Sequence, residues 1–322
     1  MRARTAPAPP SDRPHGHRGS TSTLQRLVGG PWPWLIPAIG MLVLFRAYPM
    51  GHQAALSMTD MRSATIGEAR FVGLDNYRFI FSDPGFMGSL GYTFVFTISS
   101  VALSFLLGFS LALLLDRPLR GRAAYRTAFL TSWVISPLIV GYMWQLLLNE
   151  SSAGVVNGLL GAIGLPATAW LSDPTIAKVS VILVDVWRSS AYIMVFMLGG
   201  LQTIPRELTE AAMIDGATAW QRLRHIVLPL LSGLIAIALI FTTIATFNVY
   251  ELIVSLTGGG PGRATSTVGF QMFRTAFGGV AGMPGLGLLG RGAAMGMLMF
   301  VITLAFTLVY LWLGFYRRGR RT

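Results

Sequence analysis

The sequence predicts an all-α membrane protein with six transmembrane helices, and three observations carry that reading. Hydrophobic residues make up 53% of the 322-residue chain and charged residues 12%, about half the charge of a soluble domain. Mean hydropathy is +0.59. The apolar residues gather into six runs, 34–56, 89–115, 124–147, 175–202, 230–256 and 292–316. Each is long enough to cross a hydrocarbon core of about 30 Å as a helix.

Residues 1–30 are rich in Pro, Arg, Ser and Thr and cannot bury a core, so they read as a disordered tail. No signal-peptide cleavage pattern precedes the first run, which is long enough to remain as an anchor. Arg46 stands inside that run, where an apolar residue is expected. The segment after it holds the turn-forming stretch Phe71-Val72-Gly73-Leu74-Asp75-Asn76-Tyr77. The second run stops at Asp116-Arg117-Pro118 because Pro cannot continue a helix. A short interfacial helix is expected around Asn157-Gly158-Leu159-Leu160. Ser172 or Asp173 caps the fourth run, and Pro174 suits its first turn. Gly258-Gly259-Gly260-Pro261 breaks the backbone as the fifth run, drawn as one helix, emerges. Residues 278–290 are so rich in Gly that an irregular loop is expected. The parts are then a cytoplasmic tail (1–30), a six-helix transmembrane domain (31–316, with a loop at 203–229) and a basic cytoplasmic tail (317–322).

Charge placement sets the orientation. Sixteen Arg lie in the two tails, the second-to-third loop and the fourth-to-fifth loop, against six in the alternate loops. The positive-inside rule therefore puts both termini and the 203–229 loop in the cytoplasm of a multi-pass protein. The net charge of +12 fits this pattern rather than a nucleic-acid-binding face. Zero Cys excludes disulfides, thiolate metal sites and Cys nucleophiles. Only four His are present, two of them in the tail, which argues against a His-based metal site. The only Lys is Lys178, so no Gly-Lys-Ser/Thr phosphate loop exists on this chain.

Between the fourth and fifth runs lies a polar island that reads as a helix, a Gly break and a second helix ending at Pro229. Pro205 starts the first helix at a position Pro favours. Glu207, Glu210 and Ala211 then fall on neighbouring faces at helical spacing, followed by Ala212 and Asp215. Gly216 permits the reversal. Ile226 and Leu228 anchor the second helix, and Pro229 starts the fifth span. An ordinary amphipathic loop helix is the plain alternative.

Within the spans, Asp185 and Arg188 are three residues apart and Tyr192 lies about a turn further on. Asn248, Tyr250 and Glu251 cluster in the fifth run. Aromatic rings beside hydrogen-bonding groups suit a sugar, and ionisable groups at membrane depth mark a cavity or a bundle interior. The alternative is a structural Asp185–Arg188 pair and an interhelical Asn248 bond.

The spacing Glu-Ala-Ala, three residues, Gly, nine residues, Ile, one residue, Leu-Pro over 210–229 resembles the signature loop of binding-protein-dependent ABC importer permeases. Further blocks resemble the carbohydrate-type permeases of the maltose and glycerol-3-phosphate importers. These are 71–77, 116–122, Trp170-Leu171-Ser172-Asp173-Pro174, Gly200-Leu201-Gln202 with Ile204-Pro205, and 256–261. Two departures are Gly91-Tyr92-Thr93, where Asn-Thr is usual, and the long 278–290 insertion.

The resemblance implies a type I ABC importer permease fold in a bacterial inner (plasma) membrane. It implies a coupling helix in which Glu207, Glu210, Ala211, Ala212, Asp215 and Gly216 meet an ATPase. It places Asp185, Tyr192 and Asn248 along the solute cavity. The implied partners are a second permease subunit, two ATPase subunits, an extracytoplasmic solute-binding protein and the lipid membrane, with no nucleic acid. ATP and Mg would sit on the ATPase, and this chain would carry no cofactor and no enzymatic activity. The solute would be a sugar or a sugar-like or glycerol-phosphate compound. A self-sufficient secondary transporter using Asp185 and Glu251 is the competing hypothesis. It predicts internal repeats and leaves the Glu210 loop without a purpose. A membrane-embedded enzyme needs a nucleophile, base or metal constellation, and the sequence assembles none.

Overall fold

The structure, a computed structural model, describes residues 32–65, 67–151, 154–278 and 286–316. Both tails and most of the Gly-rich insertion lie outside them. The chain divides into two compact units, Met1–His52 and Gln53–Thr322. Among the described residues five helices are long and apolar enough to span a membrane, or six if a bent pair is counted as one span. No strand forms among the described residues, only an isolated bridge between Thr59 and Phe71.

In the first unit, α1 (Trp34–Ser57, running on into the second unit) widens into a π turn over Val43–Ala47, where the Tyr48 N–H reaches back to the Val43 carbonyl. Pro49 follows immediately. A Pro ring collides with the carbonyl four residues back, and a wider turn relieves that collision without ending the helix. Arg46, the unexpected charge, lies inside this turn.

The second unit begins with a short bridge: the Val72 N–H donates to the Met58 carbonyl at 2.8 Å, and the Arg70 N–H to Asp60 Oδ1 at 2.7 Å. Then come α2 (Asp75–Ser82) and α3 (Pro84–Leu115). Asp83 caps α3 by accepting from the Gly85 N–H at 3.0 Å, so the helix starts five residues before the predicted 89. The fourth span, α7 (Pro174–Leu201), begins as its sequence predicts, with Asp173 Oδ1 accepting from the Thr175 and Ile176 N–H groups at 2.8 Å.

Two predicted spans are not single helices. The third breaks into α4 (Arg122–Val134) and α5 (Pro137–Leu147), bent by 101°. Pro137 forces the residue before it out of the helical region, and Ser136 takes φ −55°, ψ 136°. The fifth, predicted as 230–256, ends at Phe247; Asn248-Val249-Tyr250 leave the helix before α10 (Glu251–Leu256). Between α5 and α7 lies α6 (Val155–Ala162), the expected short helix. Beyond α10 come α11 (Val268–Ala276) and α12 (Leu289–Tyr316).

The bundle is built on α3 against α7. In lipid, apolar surface alone gives helices little reason to associate, so small residues that admit close approach decide the contact. Ser89, Thr93, Thr97, Ser100, Ser104, Gly108 and Ala112 form such a buried stripe on α3. At Gly108 a Cβ would collide with the Ser190 carbonyl oxygen of α7. Three apolar clusters complete the packing. One joins Phe109 and Leu115 to Met194, Met197 and Leu231 at the 203–229 end. A second joins Phe96, Val140, Val184 and Leu252. The third joins Ile80, Phe86, Phe247 and Met299.

The 149–172 segment is pinned by two side chains. Asn157 donates to the Glu150 and Thr168 carbonyls at 3.1 Å, and its Oδ1 accepts from Trp170 Nε1 at 2.8 Å. The Glu150 carboxylate accepts from the Ser172 hydroxyl at 2.7 Å and from the Leu171 and Ser172 N–H groups at 2.9 and 2.7 Å. These bonds, the Ser172 hydroxyl foremost, hold its pKa below the ordinary 4.5.

Two predictions follow from this packing. Gly108→Leu should destabilise the purified chain by about 1–3 kcal/mol through overpacking. Gly91→Ala, on the same helix with open space at its Cβ position, should instead gain up to about 1 kcal/mol from helix propensity; thermal unfolding in detergent compares them. For Glu150, a depressed folded pKa means its contribution is full above about pH 4.5 and is lost as pH falls through the lower folded value. Hydrogen-exchange protection at Leu171 and Ser172 should therefore fall with acidification in the native chain and show no such step in Glu150→Gln.

A candidate coupling hairpin and a candidate solute path

The hairpin grows out of α7. After Leu201 the chain turns, and α8 (Arg206–Ile214) starts with Pro205 as its cap, one residue before the expected helical position. Gly216, at φ +80°, ends it. The Ala217 N–H donates to the Ala212 carbonyl at 2.8 Å and the Gly216 N–H to the Met213 carbonyl at 3.1 Å, the paired bonds of a left-handed helix stop. Thr218 and Gln221 then cap the next helix reciprocally, at 2.7 and 3.3 Å. Arg222 Nη1 donates to the Ala217 carbonyl at 2.6 Å and ties the turn to the helix that follows.

That second helix does not end at Pro229. It continues as α9 (Ala219–Phe247), 29 residues in one piece. A π turn at Leu223–Val227, with the Leu228 N–H bonded to the Leu223 carbonyl, makes room for Pro229, the same arrangement as before Pro49. The hairpin helix and the fifth span are therefore one rod of about 44 Å. Leu223, Val227 and Leu228 pack against the Met197–Leu231 cluster. Ile226 instead lines a shallow cavity with Asp215, Gly216 and His225.

The predicted coupling residues come together on one surface. Glu207, Glu210, Ala211, Asp215 and Gly216 are exposed, and Ala212 is half-buried. Large apolar side chains stand uncovered around them: Leu208, Met213, Trp220 and Ile214, the last 87% exposed. Beside α8 opens a cavity of about 510 Å³ lined by Glu210, Arg206, Gln202, Asp116 and Arg122. The Asp116–Arg122 segment thus shares a pocket with the hairpin, which sequence spacing does not reveal.

None of the five predicted path residues lines this cavity or the apolar groove of about 410 Å³ beside α3. Asp185 is wholly buried and faces Arg188 Nη2 at 3.5 Å. Tyr192, half-buried, packs between Trp133 and Phe196 with ring centroids 5.5 and 5.2 Å away. Asn248, Tyr250 and Glu251 share the break after α9. Asn248 Nδ2 donates to the Ile244 carbonyl at 2.7 Å, and Tyr250 stacks on Phe273 at 4.9 Å. Half-buried Glu251 opens α10 and has no side-chain partner among the described residues. The break itself is held by residues the sequence did not single out. Thr267 Oγ1 donates to the Val249 carbonyl at 3.1 Å. Gly269 lies so close that a Cβ would sit 3.0 Å from that oxygen.

Residues 104–318, hairpin included, match the family described as binding-protein-dependent transport system inner membrane component. The chain belongs to that family. It is 36% identical over 285 residues to the trehalose/maltose transport system permease protein MalF of Thermococcus litoralis, covering 88% of this chain and 93% of that one. The sn-glycerol-3-phosphate transport system permease protein UgpA of Agrobacterium fabrum is 32% identical over 281 residues, covering 86% and 92%. The trehalose transport system permease protein SugA of Mycobacterium tuberculosis is 32% identical over 277 residues, covering 85% and 86%. The fold matches a bacterial ABC transporter involved in the import of alginate, with a TM-score of 0.73 at 24% identity over 92% of this chain and 98% of that one. This permease therefore has the all-helical fold of ABC transporter membrane subunits.

Proposed function

We propose that this permease is the passage-forming subunit of an ATP-binding-cassette importer for a sugar or a sugar-like or glycerol-phosphate solute. It takes the solute from an extracytoplasmic binding protein, pairs with a second permease subunit and is driven by two ATPase subunits that bind ATP and Mg. The observation carrying this reading is the hairpin: an exposed helix with a Gly stop, joined by a short turn to α7 on one side and to the unbroken rod α9 on the other. Acidic and small side chains on its open face, ringed by Leu208, Met213, Ile214 and Trp220, suit a partner's groove. The Arg bias supports a cytoplasmic position for it. The solute class is supported by relatives named for trehalose, maltose and glycerol-3-phosphate.

Within the passage, Asn248, Tyr250 and Glu251 are the solute-facing set we favour. A helix break brings together a polar side chain, a ring and a carboxylate that has no side-chain partner among the described residues. Asp185 lacks the free carboxylate that a proton-driven carrier would need there, because Arg188 faces it.

Gly216→Val should strain the turn by about 1–3 kcal/mol, and Glu210→Lys reverses the charge presented to the partner. Both should insert normally and lose solute-stimulated ATP hydrolysis by roughly ten-fold or more, about 1.4 kcal/mol. Wild-type stimulation in both variants, or solute uptake by the chain alone in liposomes, would overturn the reading. Binding to the cognate extracytoplasmic protein, measured across disaccharides, amino sugars and glycerophosphodiesters, should select one of these classes.

A further inference from the structure

The hairpin's two arms, α7 and α9, contact each other through apolar side chains near the turn, chiefly Met197, Leu198 and Leu201 against Leu231 and Leu234. Leu231 and Leu234 fill a notch at Gly200 there, so close packing at a small residue holds the arms together at the turn end. Further along, the chemistry changes. Asp185, in the middle of α7, is 0% exposed. Its Oδ1 accepts from Arg188 Nη2 at 3.5 Å and from the Ser189 hydroxyl at 3.4 Å. Its Oδ2 accepts from the Thr246 hydroxyl of α9 at 3.5 Å. Among the described residues this is the sole side-chain hydrogen bond between the two arms, and it joins them one residue before the last residue of α9 and two before Asn248.

An unpaired carboxylate at membrane depth is costly. Arg188, on the same helix, offsets that cost and leaves the second oxygen available to α9. The Thr246 hydroxyl, 3.5 Å from Oδ2, is the polar link that sets which residues of the two arms face each other at this end. We infer that Asp185 is a positioning residue: through Thr246 it pins the α9 arm to the α7 arm at the Asn248–Tyr250 break, so that displacement of the hairpin reaches that break. The inference rests on the coupling function proposed above.

The absence of Cys makes the test direct. Spin labels at Ser232→Cys, exposed near the start of the spanning part of α9, and Tyr142→Cys, exposed on α5, report distance across the break, because α5 packs on α10. The permease is assembled with its partner permease and ATPases in nanodiscs and given ATP plus vanadate. The distance should shift in the otherwise unaltered chain. Thr246→Val should lose at least half of that shift while trapping nucleotide normally, and Thr246→Ser should restore it. Asp185→Asn, which keeps an acceptor but not the charge, should fall between them. A full shift in Thr246→Val, a failure of Thr246→Ser to restore it, or no shift in the unaltered chain would overturn the inference. Glu210→Lys separates the two readings: a full shift in that variant removes the coupling function itself, whereas its loss alongside a full shift in Thr246→Val removes only the role of Asp185.

Discussion

At membrane depth a backbone N–H or C=O without a partner costs several kcal/mol, because no water is present to replace it. Several departures from straight helix among the described residues bear on that constraint. The π turns before Pro49 and Pro229 keep the rods unbroken by shifting bonds to the carbonyl five residues back. After α9 the ladder does break, and the Val249 carbonyl is met from another helix, by Thr267 Oγ1. Gly269 is what allows α11 to come near enough to do this. At Ser136–Pro137 the chain turns through 101° instead, and α5 is taken up by α10, where Gly141 admits Ser255. Irregular backbone therefore occurs where neighbouring helices are close enough to satisfy it.

This explains which parts of the molecule are legible in the sequence. Hydropathy locates the spans, and local chemistry locates the ends that depend on it, such as Asp173-Pro174 before α7 and Gly216 after α8. The kink at Pro137 was also available locally, since the residue before a Pro avoids the helical region, but the apolar run 124–147 masked it. Pro229 misled in the opposite direction: its usual effect ends a helix, and only the π turn at Leu223–Val227 shows that the rod continues. The break at Asn248–Tyr250 was not readable at all, because its partners Thr267 and Gly269 come from a different helix.

The candidate sites divide along the same line. The coupling residues are contiguous, so their spacing alone places them on one exposed surface, and the structure adds the apolar rim and the neighbouring Asp116–Arg122 pocket. The path residues come from α7, from the break after α9 and from the start of α10, segments whose relative placement the sequence does not specify. The structural Asp185–Arg188 pair named as the alternative is present, with Ser189 and Thr246 beside it.

The mechanical consequence follows from continuity. A force on α8 meets a turn stiffened by the Gly216 stop, the Thr218–Gln221 cap and the Arg222–Ala217 bond, so little of it is absorbed locally. It passes into two rods that begin at opposite ends of the same hairpin. A lever moves a load only if its arms do not slide past one another. Close packing holds α7 and α9 together at the turn end, where Leu231 and Leu234 fill the notch at Gly200, and Asp185 with Thr246 joins them at the far end. The structure concentrates its irregular, polar backbone just beyond that joint, which is where a movement transmitted through rigid rods has to be converted into a change of shape.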